Sequence, residues 1–277
     1  MFKYNIFNSR KAMKDQISEY LTKVTDYYDR MNAIILKHVG ATYQSCLLKD
    51  EFNDQDTYRA TNIYCATQAG IQPRHYILDA GCGVCGPSID IAQAFEGVRI
   101  EAITLSSAQA DTAKYLIKQA NLSNQIQTHI GDFHHLPFSD KTFDIVLFLE
   151  SIGYSYNLLH LLKEVYRVLK PGGIIYIKEP FSKEPPLSKE EQKEIEAVND
   201  IYIYHVTPMS LIADLLEKAG FQSISCRNLS NSFSIKMYGQ AMVEYKYGFP
   251  FLTDFGKHHF YPFQIFPLFL GDIKAYK

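Results

Sequence analysis

Tryptophan is missing from this 277-residue chain, so the aromatic content of 14% rests on 20 tyrosines and 18 phenylalanines, and any ligand pocket built on aromatic faces must use those. No stretch of about 18 apolar residues occurs, which excludes a spanning helix. The opening MFKYNIFNSRKAMKDQ lacks an apolar run of signal-peptide length, and the expected location is cytoplasmic. Five cysteines, Cys46, Cys65, Cys82, Cys85 and Cys226, are an odd and sparse set. They exclude a disulfide scaffold and suit a reducing compartment. Neither sign of charge is in surplus: 28 Lys and Arg face 30 Asp and Glu, for a formal charge of -2. Nucleic acid is therefore not an expected partner, because nothing neutralises a polyanion. What the chain does have is 47% hydrophobic residues, enough for a sizeable core in one large domain with additions.

The hydrophobic spacing divides the chain. Ile17, Leu21, Val24, Tyr28 and Ile35 recur at helical intervals between about Lys11 and Val39, and a second helical stretch runs from about Asp56 to Ala69, ended by Gly70 and Pro73. Residues 1–70 thus read as a helical cover over a domain at 71–277. From Tyr76 onward the short apolar runs YILDA, VRIEAIT, IQTHI, FDIVLFL and GIIYIK alternate with helical segments. That alternation predicts an α/β fold with a mostly parallel sheet and helices on both faces. A lid is expected at about 180–206, charged and apolar-poor, turning helical after Ser188. Thr207 reads as the N-cap and Gly220 as the C-cap of the next helix. The run GFPFLTDFGKHHFYPFQIFPLFLG near the end is apolar and broken by proline. Three roles are open to it: closing a pocket, packing a second copy in a homo-oligomer, or touching a membrane surface.

The strand RHYILD enters Ala80-Gly81-Cys82-Gly83-Val84-Cys85-Gly86-Pro87 and then a helix. Such a turn aims bare N–H groups at a ligand beside a positive helix end. As letters it satisfies the dinucleotide pattern, with Glu101 about twenty residues on, which leaves an NAD-dependent oxidoreductase open. Asp79, two positions before the first glycine, would repel a pyrophosphate but suits the cationic amino-acid end of S-adenosyl-L-methionine (SAM). Cys82 and Cys85 are formally C-x-x-C, and His134-His135 beside Asp132 hint at metal. Both are more simply read as parts of the turn and of a solvent-facing loop, and no metal ligand set is expected.

Asp79-Ala80-Gly81-Cys82-Gly83 resembles the first motif of class I SAM-dependent methyltransferases, and the resemblance runs from about Tyr76 to Glu179. It implies a Rossmann-like seven-stranded sheet, SAM as cofactor and S-adenosyl-L-homocysteine (SAH) as its product. ITLSSAQA resembles the sterol, tocopherol, cyclopropane-lipid and prenyl-diphosphate methyltransferases, which implies that Thr104, Leu105 and Gln109 approach the ribose in place of an acid. GDFHHLPFSDKTFDIV resembles the adenine-binding segment, with Asp132 accepting from the amino group and Phe133 packing on the ring. Arg167 to Gly173 resembles the turn before the fifth strand, where Pro171-Gly172-Gly173 is expected to stop a helix.

The fourth strand delivers Glu150 and, four residues later, Tyr154, as in the sterol, tocopherol and prenyl-diphosphate enzymes. The resemblance implies Glu150 as base or cation stabiliser, also touching cofactor, with Tyr154 as a pocket wall. It further implies Tyr27 and Tyr28 as an N-terminal cover of the site, and Tyr202, Tyr204 and His205 near the acceptor, His205 being a candidate base. The expected function is methyl transfer from SAM to a small molecule, with a carbon acceptor of isoprenoid, lipid-like or natural-product type, and Mg2+ only if that acceptor is a diphosphate. N- or O-methylation of an amine or phenol is the alternative. A non-catalytic interaction protein on the same fold also stays open.

Overall fold

The computed structural model describes residues 10–48, 56–232, 234–236 and 268–277. Residues 248–267 of the aromatic run therefore lie outside the described residues, and only its last four residues, 268–271, can be placed. Two helices lead, α1 (Arg10–His38) and α2 (Asp56–Ala69), with the short strand β1 (Cys46–Leu48) between them. The alternating part follows as β2 (Tyr76–Ala80), α3 (Gly86–Ala94), β3 (Arg99–Thr104), α4 (Ser107–Gln119), β4 (Ile126–Ile130), β5 (Phe143–Leu149), α5 (Leu158–Val168) and β6 (Leu169–Ser182). The chain continues through α6 (Lys189–Tyr202), α7 (Met209–Ala219), β7 (Gln222–Asn228), β8 (Ser234–Lys236) and β9 (Leu268–Tyr276).

Seven strands form one sheet in the order β4-β3-β2-β5-β6-β9-β7. The first five run parallel, and β9 is antiparallel to both β6 and β7. Parallel strands covered on both faces need apolar residues at successive positions, and β5 shows why FDIVLFL is unbroken. Its Phe143, Val146 and Phe148 pack with Leu161 and Leu216 on the α5 and α7 side. The intervening Ile145, Leu147 and Leu149 pack with Ile91 and Ile117 of α3 and α4. Strand order reverses between β2 and β5, and ligands in such sheets lie beyond the carboxyl ends of the strands at that point. β1 pairs antiparallel with β8 as a separate two-stranded ribbon.

Three local expectations are corrected. Thr207 does not cap α7; Pro208 does, because Thr207 offers its carbonyl to the Ser182 N–H at 3.0 Å and is drawn to the end of β6. Pro171-Gly172-Gly173 does not precede the strand but lies within it, since Leu169 already pairs with Phe143, and the register shift before Ile145 absorbs Gly172 at φ +77°. The histidine pair is split: His134 is buried at 1% exposure, and only His135 faces solvent. The helix expected after Ser188 is α6, where Ser188 and Glu191 close a capping box.

Candidate cofactor and acceptor cleft

At the β2 end the chain turns sharply because Gly81 and Gly83 both take positive φ, +87° and +54°. A Cβ on Gly81 would lie 2.5 Å from the Ser151 Cβ, and one on Gly86 would lie 2.2 Å from the Ala41 carbonyl oxygen. Glycine at 81 lets the β5 end approach, and glycine at 86 lets the segment after α1 cross the turn. The result is a cleft holding about 770 Å³ of atom-free space, partly open to solvent.

One half of the cleft is built by β2 and β3. Asp79 is 2% exposed and accepts from the Ser88 hydroxyl at 2.5 Å. Burial pushes its carboxyl up to about 6, with the Ser88 bond working the other way. Thr104 ends β3 and donates to the Gln109 side-chain oxygen at 2.9 Å, while Ser106 caps α4 by accepting from the Gln109 N–H. The Gln109 amide nitrogen is left buried with no partner among the described residues. A buried donor without a partner is costly, and this one borders the cleft with Thr104 and Leu105. Phe133 borders it too. These residues fit SAM: a carboxylate for the ammonium end, an orphaned amide and a hydroxyl for ribose, and an apolar ring beside the base.

Asp132 does not border this cleft. Its carboxylate accepts from the His134 N–H at 2.9 Å, His134 Nδ1 at 2.6 Å and the Tyr156 hydroxyl at 2.9 Å. Burial opposes ionisation there, but these bonds hold its carboxyl down at about 2. Its structural work is to fix the loop, with His134 stacked on Tyr156. Glu101 is likewise occupied, bound to the Tyr76 hydroxyl and to His129 within the sheet. Cys82 and Cys85 are free and buried, and burial pushes the Cys82 thiol well up, opposite to what a redox pair needs. Among the described residues no group of three or more side chains is arranged to hold a metal.

The other half of the cleft lies over β5. Glu150 and Tyr154 both border it, as does Tyr28, whose hydroxyl meets that of Tyr154 at 2.6 Å. Glu150 sits at φ +57° and is not a free carboxylate. One oxygen accepts from Lys178 Nζ at 2.6 Å and the Ser45 N–H at 2.7 Å, and the other accepts from the Ser45 hydroxyl at 3.1 Å. That geometry weakens the base reading, since both oxygens are engaged, and leaves an electrostatic one. Tyr27, Tyr202, Tyr204 and His205 do not border the cleft. Tyr27 packs edge-on to Tyr28 at 5.2 Å, Tyr204 packs edge-on to Tyr154 at 4.7 Å, and Tyr202 joins the same cluster. His205 stacks on Tyr20 of α1 at 5.4 Å.

Several contributors to the cleft are not among the residues expected from the sequence. Lys178 is fully buried and donates to the Gln44 side chain at 2.8 Å and the Ser45 carbonyl at 2.6 Å as well as to Glu150. A lone lysine in the apolar run IIYIK was the available clue. Tyr43, Gln44 and Val24 also border the cleft, brought in by long-range folding of the cover. Asn32 of α1 binds α4 through the Ala108 carbonyl at 3.1 Å and the Thr112 hydroxyl at 2.8 Å, and Asp29 accepts from Ser106 at the same helix start.

The fold and the cleft define a class I SAM-dependent methyltransferase domain, and residues 78–177 match the family described as Methyltransferase domain. Sterol C-methyltransferases are among the relatives the chain resembles. It is 33% identical over 191 residues to the sterol 24-C-methyltransferase ERG6 of Saccharomyces cerevisiae, covering 66% of this chain and 49% of that protein. The chain thus spans about half the length of that relative. The crystal structure of geranyl diphosphate C-methyltransferase from Streptomyces coelicolor, complexed with Mg2+, geranyl diphosphate and SAH, superposes with a TM-score of 0.72 at 16% identity, covering 93% and 97% of the two chains. The cyclase SpnF superposes with a TM-score of 0.76 at 19% identity, covering 93% and 96%. Both structures show the shared fold, and a fold alone does not fix the reaction.

Proposed function

We propose that this protein transfers the methyl group of SAM to a carbon of an isoprenoid or other lipid-like small molecule. The observation that carries the reading is the two-part cleft, in which Asp79, Thr104 and Gln109 border one half and Glu150, Tyr28 and Tyr154 the other. The named activity of the sterol C-methyltransferase relative supports it. Asp79 would hold the ammonium end, the Thr104 and Gln109 pair the ribose, and Phe133 the adenine side. Bound there, SAM supplies an electrophilic methyl group.

The chain's own contribution is alignment and charge. The tyrosine pair at 28 and 154 forms a wall whose ring faces suit a carbocation left when an alkene is methylated. Glu150 adds negative potential, moderated by Lys178, so its role is electrostatic stabilisation. Mg2+ enters only if the acceptor carries a diphosphate. The test is incubation with methyl-labelled SAM and a panel of sterols, prenyl alcohols and prenyl diphosphates, with and without Mg2+, followed by mass spectrometry of every labelled product. Label on a carbon skeleton is expected. Label on nitrogen or oxygen of amine or phenol controls would transfer the reading to the alternative.

A further inference from the structure

The loop after β4 turns its residues alternately toward and away from the main cleft. Gly131 and Phe133 border the cleft, and Asp132 between them does not. The Asp132 carboxylate faces the outer side of the loop, where the exposed His135 ring has its Nδ1 3.5 Å from Oδ2. A carboxylate offers about four acceptor sites. Oδ1 accepts from the His134 N–H at 2.9 Å and from Nδ1 of the same residue at 2.6 Å, and Oδ2 accepts from the Tyr156 hydroxyl at 2.9 Å with His135 beside it. An ionised carboxylate only accepts, so Nδ1 carries the ring proton and His134 Nε2 accepts from the Ser155 hydroxyl at 2.8 Å. Asp132, His134, Ser155 and Tyr156 thus tie this loop to the segment that leads into α5.

What the loop presents to the cleft is apolar. Phe133 borders it with Ile103, Leu105 and Gly131. The Phe133 ring is fixed edge-on against Phe148 at 5.8 Å and tilted against His134 at 5.0 Å. Asp79 and Glu150, the carboxyl groups that do border the cleft, lie at the ends of β2 and β5 and are bound to Ser88 and to Lys178 with Ser45.

We propose that this chain grips the base of its nucleoside cofactor by the base's faces and does not read the exocyclic amino group of adenine, so that the site also takes sulfonium and thioether nucleosides whose purine lacks that group. The inference rests on the methyltransferase reading above and departs from the role that the sequence resemblance implies for Asp132. Asp132 is a positioning residue: its oxygens are used within the loop, and it acts by holding Phe133 and His134 in place. The two ways of binding a base differ in what they reject. Packing on an aromatic side chain tolerates any base, because every base has a π-face. A site built to hydrogen-bond one group rejects the analogue lacking it by roughly ten-thousandfold, since the site's own polar atom is left unpaired. Removing the amino group strands nothing at Asp132, whose donors come from the protein.

Calorimetric titration of the full chain with SAH and with its purine analogue, in which hydrogen replaces the exocyclic amino group and every ring nitrogen is kept, tests this without any acceptor. The two dissociation constants are expected to agree within about fivefold. Asp132→Asn, which keeps an oxygen for the His134 N–H, is expected to leave their ratio unchanged. Asp132→Ala removes the anchor of the loop and is expected to weaken both ligands in parallel, whereas loss of a group that read the amino edge would weaken SAH alone. A larger loss of affinity on removing the amino group overturns the proposal, and so does a weakening confined to SAH in either variant. If Asp132→Ala fails to fold, the unaltered protein and Asp132→Asn decide. SAH bound with the purine analogue rejected sinks this inference alone; no binding of SAH sinks the methyltransferase reading and this inference with it.

Discussion

Asp79 sits in the cleft with its carboxyl pushed up to about 6 by burial, and this gives a signed pH prediction. An ammonium group favours the carboxylate, so below pH 6 binding must expel a proton. SAH affinity is expected to fall about tenfold per pH unit there and to level off above about pH 7, as calorimetry across pH will show. A folded-state value above the unfolded one means that stability falls as pH rises from about 4 to about 6, and the full cost of the ionised group is present above that. Asp79→Asn should therefore weaken SAH binding and flatten its pH dependence, yet raise the ligand-free stability above pH 6 by up to about 3 kcal/mol. At the same scale, Lys178→Met strands Glu150 without its buried cation. The expected loss is about 3–5 kcal/mol, with much of it restored in the double variant Lys178→Met, Glu150→Gln. Denaturant unfolding of the three proteins checks the pair. The place of Asp79, Gly81, Gly83, Thr104 and Gln109 at the cleft was legible because each lies in one of two short motifs, 79–83 and 104–109. Lys178 and Ser45 were not, since their meaning comes from partners or neighbours far away along the chain.

At the scale of elements, α1 belongs to the cleft as much as the sheet does. Its Asp29 meets the first turn of α4, its Asn32 reaches Ala108 and Thr112, and its Tyr28 meets Tyr154. An acid at a helix start is favourable to the dipole there, so Asp29→Ala should loosen α1 from α4. Faster proteolysis within 10–38, slowed again by SAH in the unaltered protein, is the expected reading. α6 has its own capping box, and Ser188→Ala should cost about 1 kcal/mol without changing SAH affinity. The bounds of α1 and α2 followed from apolar spacing and from Gly70. The start of α7 did not, because its cap was decided by Ser182, a residue 25 positions earlier whose pairing no local pattern reveals.

For the molecule as a whole, the α/β alternation made the parallel sheet readable from Tyr76 onward, and the strand order places the switch point between β2 and β5. The antiparallel β9 was less readable: it pairs with β6 across about ninety residues of sequence. Phe148 is a fully buried member of the core cluster on the α5 and α7 side, and Phe148→Ala should cost about 3–5 kcal/mol and abolish SAH binding only through unfolding. The glycine pattern left a dinucleotide open, but Asp79 in the cleft and Glu101 held by Tyr76 and His129 both oppose it. The most direct measurement is calorimetric titration of the full chain, and of Asp79→Asn, with SAH and separately with NADH. Saturable SAH binding that weakens in Asp79→Asn, with none for NADH, is the predicted result. NADH binding in preference to SAH, or SAH binding indifferent to Asp79, would contradict the assignment of this cleft.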